Sequence, residues 1–136
     1  MAFQAIGPGR LEQRTAGSKM NSNFSELYNR QLEIAVTAAN ANATFSVPAG
    51  YMIEHIAFQN TTANAVSGGV KLGTTNGGTE VVSAQAVGAS ALDTIPGASV
   101  TKRIFSTSAA TTIYVQAVTS WASANVKFSV VLRKMY

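Results

Sequence analysis

The sequence predicts an all-β fold: an antiparallel β-sandwich of jelly-roll type with about eight strands, preceded by an extended N-terminal arm and one short helix. Three observations predict it. From Leu32 onward, apolar residues recur at every second position in short runs, the period of a strand with one buried face. Turn residues separate those runs at the spacing of about 8–12 residues expected of a sandwich. Only 12% of the chain is charged, and Ala, Ser, Thr, Asn and Gly fill the places charges would take. Neutral polar faces of that kind lose little on leaving water, which suits a subunit of an assembly.

Residues 1–18 hold Gly7-Pro-Gly9, Arg10, Arg14 and Gly17 with no apolar period, which predicts an extended arm. The arm is expected either to reach a neighbouring subunit or to be a frayed terminus, and Phe3 and Ile6, out of place in a tail left to solvent, favour the first. Met20, Phe24, Leu27 and Tyr28 then fall at i, i+4, i+7 and i+8, one stripe at helical spacing. Asn23 and Glu26 offer a capping pair. A helix this short is marginal alone, so its stripe must dock on this chain or on another subunit.

The period changes at Leu32. Leu32, Ile34 and Val36 predict a strand over 31–38, and Thr44 to Val47 a second, closed by Pro48 and Gly50. Residues 51–60 carry apolar side chains at odd and even positions, which predicts a central strand covered on both faces. Residues 69–73 and 79–86 read as a hairpin about Asn76-Gly77, whose residues suit a type I′ turn. Residues 91–95 form a short edge strand, and Pro96-Gly97 fits the centre of a type II turn. Strands over 100–106, 112–118 and 126–134 complete the set. Residues 1–33 are thus expected to serve attachment and assembly, and 34–136 to form the sandwich domain.

Little in the chain could carry chemistry. There is no cysteine, hence no disulfide or thiolate ligand. His55 is the single histidine and is expected to be a hydrogen-bonded structural residue of its strand. Glu54, Glu80 and Asp93 are too scattered for sequence to pair them. Gly68-Gly69 and Gly77-Gly78 lack the Lys-Ser/Thr of a phosphate loop. Asn23-Phe-Ser25, Asn42-Ala-Thr44 and Asn60-Thr-Thr62 match a glycosylation triplet, here taken as chance. No catalytic residue, cofactor or metal is expected.

Net charge is +4: four basic and three acidic residues in 1–33, six and three in the remainder. No basic cluster exceeds two adjacent residues, so nucleic-acid binding is not expected. No apolar run approaches the ~18 residues that span a bilayer. The N-terminus lacks a basic region followed by an apolar core, so assembly in the cytosol is expected. Among the aromatics, Phe45, Phe58, Phe105 and Phe128 belong to the core by their place on strands. Trp121, between Ser120 and Ala122-Ser123, is a contact anchor, a platform for stacking sugar, or a ring folded over one end of the core. Tyr136 is a further candidate for packing between subunits.

Lys19-Met-Asn-Ser-Asn-Phe-Ser-Glu-Leu-Tyr28 resembles the I-N-A-N-F-x-E-L-Y segment near the start of tailed-bacteriophage fibre and accessory virion proteins, with Met20 and Ser22 where that pattern more often has Ile and Ala. Val47-Pro-Ala-Gly50, Phe58-Gln-Asn-Thr-Thr62 and 69–79 are similar to the small β-sandwich modules of those proteins. The resemblance implies a virion protein, with Phe3, Ile6, Arg10, Arg14, Met20, Phe24, Leu27, Tyr28, Trp121 and Tyr136 as candidate partner contacts. The leading expectation is an oligomeric capsid-decoration protein, a dimer or trimer standing on the major capsid protein. The alternative is a short tail-fibre or receptor-binding protein whose sandwich recognises the host surface, a glycan included.

Overall fold

The computed structural model describes residues 31–135. Eight strands follow in order: β1 (Gln31–Ala39), β2 (Ala43–Val47), β3 (Tyr51–Asn60), β4 (Val70–Gly73), β5 (Val82–Gln85), β6 (Leu92–Thr94), β7 (Thr111–Ala117) and β8 (Asn125–Lys134). They form two four-stranded sheets, β1-β8-β3-β6 and β2-β7-β4-β5. This is the order of a jelly roll: first strand beside last, β2 beside β7, β3 beside β6 and β4 beside β5, with rolling of that ribbon adding β8 to β3 and β7 to β4.

The core between the sheets follows from alternation. On β8, Val126, Phe128, Val130 and Leu132 are buried while Lys127 and Arg133 are exposed. β2 turns Phe45 and Val47 inward and Thr44 and Ser46 outward; β7 contributes Ile113 and Val115, and β4 contributes Val70 and Leu72. Phe105 is only partly buried, packed at the margin of this cluster.

Three expectations about strands are corrected. β3 is not covered on both faces: its pairing with β8 slips between Ile53 and His55, and the inserted residue moves the inward positions from odd to even, from Ile53 to Ile56 and Phe58. His55 falls at that bulge and is exposed, not a hydrogen-bonded core histidine. Residues 100–106 form no strand, because their backbone bonds are dispersed over different partners. Thr101 N–H donates to Val81 O, whereas Ser106 O accepts from Gly50 and Arg103 O from Ile53.

Both expected turns also differ. Gly77 has φ +82° and Asn76 does not share a positive φ, a type II sign pattern closed by Gly78 N–H to Thr75 O at 2.9 Å. Pro96, with φ −55° and ψ 142°, instead leads into a 3-10 turn at Gly97–Ser99.

Candidate interaction surface

The two sheets present outer faces of different character. On β2-β7-β4-β5 the outward rows pair Thr44 with Tyr114, Ser46 with Thr112 and Lys71 with Gln116, a polar surface. On β1-β8-β3-β6 the rows are Leu92, Gln59 and Lys127, then Thr94, Ala57 and Ser129, then His55 and Val131, then Met52 and Arg133. Ile104 bridges to Met52 and extends this face at one end.

Ala35 and Ala57 project only a methyl group from the middle of the sheet, while Leu92, Gln59 and Lys127 stand around them. The result is a depression of ≈ 260 Å³, mostly apolar, with Phe58 and Phe128 beneath it. On this face Leu92 leaves 76% of its surface exposed and Ile104 55%. Single exposed apolar residues are ordinary, but Leu92 beside a mostly apolar depression makes this face the candidate contact surface. Polar side chains share this face: Lys127, Arg133 and His55 are outward, and Glu33 accepts a hydrogen bond from the Ser129 hydroxyl.

Phe3, Ile6, Arg10, Arg14, Met20, Phe24, Leu27, Tyr28 and Tyr136 lie outside the described residues, as do the expected arm and helix. Trp121 is 7% exposed, and its indole N–H donates to Asn42 Oδ1 at 2.8 Å. Ala122 and Ser123 follow with φ of 50° and 64°, and Ser123 N–H is fixed by Asn40 Oδ1 at 3.0 Å. Of the alternatives for Trp121, this geometry matches the ring folded over the end of the core.

Leu92 and Ile104 were not among the residues singled out from sequence. The signal for Leu92 was present: if Ile95 points inward from an edge strand, period two turns Leu92 outward. Ile104 carried no such signal, because its segment has no ladder to fix a face.

The remaining polar groups support the fold. Arg103 donates to the carbonyls of Ile53, Glu54 and Gly97, tying the 97–103 segment to β3. Asn60 is buried with its amide nitrogen donating to Asn64 O and Gly88 O and its oxygen accepting from Thr62, so this glycosylation triplet is occupied by its own turn. Glu80 accepts from Thr74 N–H and the Thr75 hydroxyl. Hydrogen bonding by its own backbone and by Thr75 holds its carboxyl below the usual range. Among the described residues no cluster of His, Cys, Asp or Glu could hold a metal. No family model matches the chain, and no curated protein matches it.

Proposed function

We propose that this chain is a structural protein of a tailed-phage virion, decorating and stabilising the capsid shell as a symmetric oligomer. One observation carries the assembly part: on the outer face of β1-β8-β3-β6, Leu92, the most exposed large apolar side chain among the described residues, stands beside the depression over Ala35 and Ala57. Burying such a face is favourable by about 25 cal/mol per Å² of apolar surface. Lys127 and Arg133 on this face must keep water or find partners in the contact. The virion part rests on the resemblance of residues 19–28 and of the sandwich segments. The partners are further copies of this chain and the major capsid protein, and the contacts are completed by the apolar stripe Met20, Phe24, Leu27 and Tyr28.

A second reading is favoured by the Lys19–Tyr28 segment itself, since it also marks short fibres. Residues 1–33 would then attach to the particle, and the sandwich would face the host. Copy number per particle separates the two. Quantitative mass spectrometry of purified virions should find on the order of hundreds of copies, as a shell lattice of symmetric oligomers requires. A few dozen or fewer would favour the fibre, and none would end both.

A further inference from the structure

Asn76-Gly77 is the one Asn-Gly pair in the chain. This dipeptide carries chemistry of its own. The backbone nitrogen after an asparagine can attack the side-chain carbonyl carbon, and a following glycine has no Cβ to hinder the approach. In this fold both reacting groups are held by one side chain. Gly77 N–H donates to Gln116 Oε1 at 2.7 Å, and Gln116 Nε2 donates to Asn76 Oδ1 at 2.7 Å. Gln116 stands near the end of β7 and is only 9% exposed, whereas Asn76 and Gly77 are open to water. The flanks are fixed as well, by Gly78 N–H to Thr75 O and by the Thr75 hydroxyl to Glu80.

We propose that Asn76-Gly77 is a self-modification site, competent to form a succinimide, and that Gln116 is the side chain that holds it closed in the folded protein. When the loop opens, solvent base takes the Gly77 amide proton. The nitrogen attacks Asn76 Cγ, a C–N bond forms, the bond to the side-chain nitrogen breaks and ammonia leaves. Water then opens the ring at either carbonyl, giving aspartate or isoaspartate, with nothing oxidised or reduced. Either product adds one negative charge. Isoaspartate also inserts a methylene into the main chain, so the turn no longer fits Gln116.

The test is peptide mapping after prolonged incubation at mildly alkaline pH. Cleavage after Lys71 and Lys102 releases a peptide whose side-chain amides are Asn76 and Gln85 alone, so fragmentation between them localises a mass gain from amide to acid. Folded protein should convert at least about ten-fold more slowly than the same peptide free in solution, and Gln116→Met should recover about ten-fold or more of that rate, the scale expected for releasing two hydrogen bonds. Equal rates in folded protein and free peptide would overturn the proposal, as would a folded Gln116→Met protein no faster than the parent. If that variant does not fold, amide exchange at Gly77 in the parent decides: strong protection supports the clamp, and exchange at the rate of an open loop refutes it.

Discussion

Leu92→Asp should leave the sandwich folded and disable its assembly. Leu92 retains 76% of its surface in the isolated chain, so its side chain adds little to the core. Surface replacements of this kind change stability by about 0.5 kcal/mol or less. Fully burying a leucine is worth roughly 1.5–3 kcal/mol, and about three-quarters of that remains to be gained, hence about 1–2 kcal/mol per copy. In an isologous pair each interface contains Leu92 twice, which gives about 2–4 kcal/mol, or roughly 30- to 700-fold in affinity. The new carboxylate beside Asp93 adds a charge that the contact would have to desolvate. The assay is sedimentation over a concentration series, with particle attachment and thermal midpoint measured alongside. Thr44→Asp, on the polar face of the other sheet, is the control. Unaltered association of a folded Leu92→Asp protein would remove the β1-β8-β3-β6 face from consideration. A lowered midpoint with unaltered association would make Leu92 a residue of the fold.

Three further outcomes follow from particular contacts. Trp121→Ala should lower stability by about 3–5 kcal/mol in chemical denaturation, as removal of a buried aromatic does, whereas Trp121→Phe should lose only about 0.5–1.5 kcal/mol with its bond to Asn42. Gly73→Ala should destabilise by about 1–3 kcal/mol, because a Cβ there would run into the Gly78 carbonyl and the Glu80 carboxylate. Glu80 should make the loop acid-sensitive. Its carboxyl is held below its unfolded value, so its contribution is present above the ordinary carboxylate range and is lost as pH falls through the depressed value. The protection of the Thr74 amide, measured against its intrinsic exchange rate at each pH, should therefore fall on acidification in the parent and stay independent of pH in Glu80→Gln.

The long strands were legible because burial on one face writes a two-residue period. β3 was placed at residues 51–60 and β8 within one residue, since Val126, Phe128, Val130 and Leu132 alternate with outward residues. The β3 bulge was not legible as such. An extra residue mixes odd and even positions, and in sequence that looks the same as a strand covered on both faces. The 100–106 segment has strand composition and lies beside β3, but Pro96 and the 3-10 turn break its ladder after Ile95 N–H has bonded to Ile56 O. Turn type depends on the sign of φ at two residues, and Asn76 is compatible with either sign. The interaction face was the least legible. A depression arises where small residues from non-consecutive strands meet, and Ala35 and Ala57 become neighbours only once β8 lies between β1 and β3.

The most direct measurement is side-chain footprinting of the protein free and in its assembled state. Leu92, Met52 and Ile104 should become protected on assembly, because they lie on one outer face and carry its apolar surface. Tyr114, on the outer face of the opposite sheet, should react equally in both states. Protection of Tyr114 with Leu92 and Met52 left reactive would contradict the assignment of the β1-β8-β3-β6 face as the surface through which this protein assembles.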